Sequence, residues 1–494
     1  MSDGYPISTT KPRHAAMDKS YDLVVIGAGP AGEVAAELAS AFGRAVLVVE
    51  RSTPGGVVTT TGGAPTKALR EAALYLTGYR QEEVYGVRAA APLQAVMPTL
   101  GVRIEQVRDV LQDAVARRFV ARGITYLQGV ARIDTDRTVH ITSPDGTAHA
   151  VASRAVVIAT GSRPTHYSGI PFDDPDVYDS DEIWALPAAP TDIVIVGGGP
   201  IGVEFATVFT ALGIPATLVN KSDRLLPTVD GELAGLLAEE FQRRGVRLVL
   251  GAGADGVRRV DGRLLVTLSN GTALEGDAVL FAAGRTANTE ALGLEQAGVR
   301  LDAAGRIIVD RYYRTTAPGI YAAGDVVRPG LASSAMQQGR AAAAHACGLV
   351  FGVEIDQTVS TAVYGLPEVA SAGATEEQIR SSGIPYAVGR CDLSTTPRGA
   401  IAGHGGLLKL IFHADNRKLL GVHCFGDIAS EVVGLGHVVL QLGGRIEMFL
   451  TLALNTPTYN YAYHDATVDG LTRLTKLMGM PESGESPVQR SRAS

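Results

Sequence analysis

Cysteine is scarce in this chain of 494 residues: there are three, Cys347, Cys391 and Cys424, far apart and without C-x-x-C spacing. That leaves no disulfide framework and no cysteine-rich zinc site. His423 beside Cys424 makes no metal motif, and cysteines placed in this way pack as small hydrophobes. Long apolar runs are also missing. No stretch approaches the roughly 18 apolar residues of a membrane span, and the opening MSDGYPISTTKPRHAAMDKS is polar, so no secretory leader is expected and a cytoplasmic location follows. The third absence is positive charge. A net charge of −7 without a basic tract argues against nucleic acid and anionic membrane as partners and leaves small molecules.

What remains is an ordinary soluble composition, 46% hydrophobic and 19% charged, long enough for about two to four domains with ample core. Residues 1–19 read as a disordered lead-in and 476–494 as a disordered tail. The apolar run YDLVVI, Tyr21 to Ile26, has strand character. GAGPAG, an alanine-rich helical stretch to about Phe42 and a second strand ending at Glu50 follow. This is a βαβ unit. Gly27, Gly29 and Gly32 serve the tight turn, the backbone approach to pyrophosphate and the helix–strand packing, the helix N-terminus favours phosphate, and Glu50 takes the ribose hydroxyls. A second copy runs from Asp192 to Asn220, with Gly197, Gly199 and Gly202 in register and Asn220 where the first has Glu50. A carboxylate there repels a 2′-phosphate. Asn220 can bond a hydroxyl or a phosphate, and Lys221 and Arg224 offer positive charge, so NADP(H) is favoured or at least tolerated beside NAD(H). Helices are expected from Lys67 through KALREAALYLTGYRQEEVYG, near Gln106–Arg122, over Ser333–Ala346 and near Ser430–Leu442.

The stretch PGGVVTTTGGAPTKALR, Pro54 to Arg70, carries a resemblance that extends over nearly the whole chain. It resembles the flavoprotein disulfide reductases, in which the matching segment is GG-x-C-x-x-x-x-C-x-P-S-K and the two cysteines relay electrons from flavin to a disulfide. Here Val58 and Gly63 hold the cysteine positions, while Gly55, Gly56, Gly62, Pro65, Thr66 and Lys67 keep the frame. Neither replacement can undergo thiol–disulfide exchange. The resemblance implies an α/β fold with two Rossmann-like dinucleotide-binding domains, for FAD and NAD(P), and a C-terminal α+β dimerisation domain. It divides the chain into 20–160 with 285–355 (FAD), 161–284 (NAD(P)) and 356–475 (dimerisation). It also implies the domain crossings at Thr160–Gly161 and Gly284, a second flavin motif in which Gly324 admits the backbone and Asp325 accepts a bond from the ribityl chain, and a Lys67–Glu204 pair beside the flavin ring. The Ser333–Ala346 helix then aims its N-terminus at the flavin pyrimidine ring.

A second part of the disulfide machinery is also replaced. The family's dimerisation domain supplies a His-Pro-Thr motif and a glutamate to the partner's flavin site. In NTPTYNYAYHDATVDGL, Asn455 to Leu471, Thr456 stands for the histidine and Tyr461 for the glutamate. By pattern the chain is most similar to the soluble pyridine nucleotide transhydrogenases. They share its K-A-L-R-E-A and L-Y-L-T-G segments and its Asn-Lys-x-Asp-Arg-Leu-Leu turn, and they lack the histidine and one cysteine. The expected protein is a homodimeric FAD-dependent NAD(P)H oxidoreductase passing hydride to a second nicotinamide. The alternative is a small-molecule electron acceptor, quinone-like or otherwise organic, bound beside Val58 and Thr59 to Thr61, with the partner's Tyr459, Tyr461 and His464 as proton-handling or stacking groups.

Overall fold

The computed structural model describes residues 20–86, 93–328, 330–350 and 358–477. The expected lead-in lies outside them. So does the tail from 478, but the last helix, Ala462–Leu477, runs two residues into the expected tail.

Two parallel sheets of one design form the centre. In the first, Tyr21–Ile26 lies between Val46–Glu50 and Ser153–Ile158, with Val25 opposite both Val48 and Val157. Thr125–Gln128 extends one side, and Ile320–Ala322 returns from late in the chain to pair with Val156–Ile158 on the other. The second sheet repeats this around Ile193–Val196, between Ala216–Asn220 and Ala278–Phe281, with Arg247–Leu250 and Val177–Asp179 outside. Strands covered on both faces read as continuous β-branched runs rather than alternating ones, and Leu23 to Val25 and Ile193 to Ile195 are fully or almost fully buried. Each such side chain contributes about 1.5–3 kcal/mol.

In both units a helix leaves the first strand through the glycine turn: Pro30–Ala41 and Pro200–Ala211, each opening on proline. A Cβ on Gly32 would lie 1.9 Å from the Gly27 carbonyl oxygen, and one on Gly202 1.8 Å from that of Gly197. Only hydrogen fits at these two close approaches. Between the sheets, Ser162–Pro164 and Arg285–Ala287 pair antiparallel as the two crossings.

The third sheet is antiparallel, in the order Thr361–Val363, Glu368–Gly373, Leu419–Gly426, Leu407–His413, Tyr386–Asp392. Helices Ala429–Gln441 and Ala462–Leu477 pack on it. This unit is tied to the second nucleotide unit by a buried cation. Lys409 is 1% exposed and reaches Asp230 at 2.9 Å, Glu232 at 2.9 Å and Glu376 at 2.7 Å. Asp230 also caps the helix Gly231–Arg243 through the Glu232 N–H.

Three helices differ from the sequence reading. The run from Lys67 begins earlier and breaks at Gly78, giving Ala64–Thr77 and Tyr79–Tyr85. The helix expected near Gln106 spans Leu93–Ala121. A short helix, Gly56–Thr60, occupies the GGVVTTT stretch.

Candidate active site

A cavity of ≈ 840 Å³ runs from Glu50 and Arg51, past Gly29 and the Ala159–Gly161 crossing, to Lys67, Glu204 and Tyr364. It draws on both nucleotide units and on the third sheet's domain, and its size suits a cofactor-sized ligand.

At one end Glu50 is 9% exposed. One carboxylate oxygen accepts the Ala28 N–H at 2.8 Å and the other the Ser52 N–H at 3.0 Å, which leaves lone pairs for ribose hydroxyls. Asn220 closes the equivalent turn of the second unit: its Oδ1 accepts the Gly198 N–H at 3.0 Å. Its amide nitrogen donates to the Arg224 carbonyl at 2.8 Å, so the side chain braces its own loop. Arg224 is drawn the same way, donating to the Pro227 carbonyl at 2.7 Å and pairing with Glu377 at 3.4 Å. Lys221 is exposed. Neither the second glycine trio nor these three residues line the cavity, whereas Pro200, Ile201 and Glu204 of the following helix do.

At the other end Lys67 Nζ meets Glu204 Oε2 at 2.7 Å. Glu204 Oε1 accepts the Tyr364 N–H at 2.9 Å, and the Lys67 ammonium lies 4.9 Å from the centre of the Tyr364 ring. Midway, Asp325 accepts the Ser162 hydroxyl at 2.6 Å and the Gly330 N–H at 3.1 Å. Arg285 donates to that serine oxygen at 2.8 Å and pairs with Asp181 at 2.9 Å. Thr160 and Asn288 lock the crossings together through reciprocal bonds of 2.7 and 2.9 Å. Gly55 and Gly56 shape the loop beneath the cavity, and Gly56, Gly161 and Gly324 line it, but Gly284 does not.

None of the three cysteines lines the cavity. Burial raises all three thiols, Cys391 to about 12. Val58 and Gly63 do line it, and a Cβ on Gly63 would sit 2.5 Å from the Val58 carbonyl oxygen and 2.7 Å from its Cα. Among the neighbouring threonines, Thr60 and Thr61 line the cavity. Thr59 is 7% exposed and bonds to the carbonyls of Pro54 and Gly56.

The C-terminal candidates divide. Tyr459 departs from the expected set facing a partner's site: it is 7% exposed and packs in its own domain's core. Tyr461 and His464 are half-buried, their rings stacked at 5.3 Å, with His464 bonded to Asp465 at 3.0 Å. None of the three lines the single-chain cavity.

Sequence reasoning missed Tyr364, Arg285, Asp181 and Ser430, all on the cavity wall. The signal within reach was the segment YGLPE, legible only as a strand edge.

Two matched dinucleotide-binding units, the second reaching the cavity through the helix after its glycine turn, with a lysine–carboxylate pair where they meet, are the arrangement of a two-nucleotide oxidoreductase. The chain matches the model of the pyridine nucleotide-disulphide oxidoreductases over residues 21–339 and that of their dimerisation domain over 359–467. It is 36% identical over 466 residues to a soluble pyridine nucleotide transhydrogenase of Mycobacterium bovis, covering 93% of this chain and 99% of that one. It is 36% identical over 469 residues to a protein of the same name from Pseudomonas aeruginosa, covering 92% and 99%. Among solved structures it is similar to LpdA of Mycobacterium tuberculosis, with TM-score 0.84, 28% identity, and coverage of 90% of this chain and 99% of that one. It is also similar to the HOCl-induced flavoprotein disulfide reductase RclA of Escherichia coli, with TM-score 0.80, 25% identity, and coverage of 91% and 99%. The protein belongs to the pyridine nucleotide-disulphide oxidoreductase family; it is an FAD-dependent NAD(P)H oxidoreductase. No helix among the described residues is long and apolar enough to cross a membrane.

Proposed function

We propose that the protein passes hydride from one nicotinamide to another by way of FAD, as a homodimer and without a dithiol stage. One observation carries this reading: the cavity wall joins both nucleotide units around Lys67 and Glu204 and contains no sulfur from cysteine. The residues fit the cofactor, with Glu50 at the ribose end, Asp325 midway and a cation at the far end. FAD supplies the two-electron carrier between nucleotides. Glu204 fixes the Lys67 ammonium on the wall, and Asp325 and Arg285 hold the two crossings against each other, so the protein contributes mainly position. The domain division that accompanies the reading is 20–160 with 285–355 for FAD, 161–284 for NAD(P) and 356–475 for dimerisation. Leu442, 72% exposed, Val438 at 53% and Val468 at 46% give the last unit apolar surface for a second copy.

The test is anaerobic mixing with NADPH or NADH while following flavin absorbance, then addition of thio-NAD. Bleaching followed by recovery with formation of reduced thio-NAD is expected. A long-wavelength thiolate charge-transfer band, or turnover of glutathione disulfide or lipoamide, would overturn the reading.

A second reading, a small organic electron acceptor, is favoured by one observation. Thr60 and Thr61 line the cavity beside Val58 and Gly63, so that stretch of the wall carries threonines between the positions where the family's cysteines would lie. A threonine hydroxyl can both donate to and accept from a polar ligand. On this reading Tyr461→Phe and His464→Ala leave nucleotide exchange intact and slow quinone reduction. Unchanged quinone turnover in both variants removes the role of the pair.

A further inference from the structure

The Lys67–Glu204 pair joins two segments 137 residues apart. Lysine has a flexible four-carbon stem and a compact charge, and Lys67 is a third exposed to the cavity. What confines it comes from a third segment. Tyr364 touches both members: its backbone N–H donates to the glutamate oxygen that the lysine leaves free, and its ring lies under the ammonium at cation–π distance.

Tyr364 is itself fixed from several sides. Arg70, one helical turn beyond Lys67, donates to the Gly365 carbonyl at 3.2 Å and pairs with buried Glu368 at 3.0 Å. The Tyr79 hydroxyl donates to the Leu366 carbonyl at 2.8 Å. Ser430 binds the other oxygen of Glu368 through its N–H at 3.0 Å and its hydroxyl at 2.7 Å. The helix that carries Lys67 therefore also anchors the segment that caps it.

We infer that Tyr364 is a positioning residue: its aromatic face and backbone N–H together set where the Lys67 charge stands in the cavity. This rests on the reading that FAD fills the cavity beside Lys67. A fixed cation beside the ring favours the electron-richer form of the cofactor, so the effect is read in the reduction potential as well as in rate.

The experiment compares Tyr364→Phe with Tyr364→Leu in the FAD-loaded protein. Both retain the N–H bond to Glu204 and most of the volume, but only phenylalanine keeps the aromatic face. The midpoint potential is measured by reductive titration without nucleotide, and the anaerobic rate of flavin bleaching is measured across NADPH and NADH concentrations. The expected result for Tyr364→Leu is a lower potential and a maximal bleaching rate reduced roughly three- to tenfold, with half-saturating nucleotide concentration unchanged. Tyr364→Phe stays within about twofold of the parent. The inference is overturned if the two variants behave alike, or if leucine alters only half-saturation. Failure of transhydrogenation in the parent protein sinks the proposed function, but the potential comparison still decides the role of Tyr364.

Discussion

The two nucleotide units share a strand register, a helix opening on proline and a glycine whose Cβ has no room, yet they treat the residue at the end of the second strand differently. Glu50 clamps the first turn with one oxygen of a carboxylate and keeps acceptor capacity toward the cavity. Asn220 clamps the equivalent turn at a similar length and turns its amide inward, onto Arg224. The clamp is common to both turns, and what differs is the acceptor capacity left over. Beside the second turn Lys221 is an exposed cation. The units also differ in anchorage. The second is tied to the dimerisation unit through Lys409, whose three carboxylate partners include Asp230 and Glu232, the cap and the first turn of a helix of the second unit.

The sharpest way to break the likeness is to fill the close approach in one unit at a time. Gly32→Ala is expected to yield protein without FAD. Gly202→Ala should remain yellow but fail to bleach with either nucleotide, as absorbance per chain and anaerobic mixing would report. Next in size is the tie. Lys409→Met leaves Asp230 fully buried without its cation, a loss of about 3–5 kcal/mol, measurable by denaturant unfolding followed through Trp184, the single tryptophan. Acid tests the same tie. Burial pushes the Glu232 carboxyl up, but hydrogen bonds from Arg390 and Lys409 outweigh it and hold the group at about 2. Its folded value lies below its unfolded one. Its contribution is therefore complete above the ordinary carboxylate range of about 4.3 and is lost as pH falls toward about 2. Trp184 fluorescence should change in that window and not near neutrality.

Smaller effects separate the nucleotides. Lys221→Ala should weaken NADPH by about 1.5–3 kcal/mol if it bonds the 2′-phosphate, and NADH little. Equal losses would make Lys221 plain surface charge. The smallest change belongs to Arg224→Ala, whose guanidinium is occupied by Glu377 and the Pro227 carbonyl. It should affect both nucleotides equally and by less than about 1 kcal/mol, which equilibrium titration of each can resolve.

Much of the central architecture was legible because its signals are local. Tyr21–Ile26 is bounded in the sequence as it is in the fold, and the glycine turns carry their own punctuation. Lys67 and Glu204 could be named only through the family resemblance, since 137 residues separate them. Tyr364 and Arg285 went unread because their partners lie more than a hundred residues away and no periodicity marks them. The tyrosines near the C-terminus misled for a different reason. Tyr459, Tyr461 and His464 lie close together in sequence and read as one set reaching a partner's site. A 3₁₀ turn running into the helix at Ala462 instead places Tyr459 and Tyr463 inward at helical spacing and leaves Tyr461 beside His464.

The contact at Gly63 bears on how this protein could be re-engineered. Substituting cysteine at positions 58 and 63 is a two-codon change, but the main chain has closed over the room a second sulfur needs. A Cβ at position 63 would fall 2.5 Å from the Val58 carbonyl oxygen and 2.7 Å from its Cα, so the backbone must shift before any side chain fits there. Returning sulfur chemistry to this site therefore means re-laying the turn between Gly56–Thr60 and Ala64–Thr77, and side-chain exchange alone leaves the scaffold committed to a thiol-free floor.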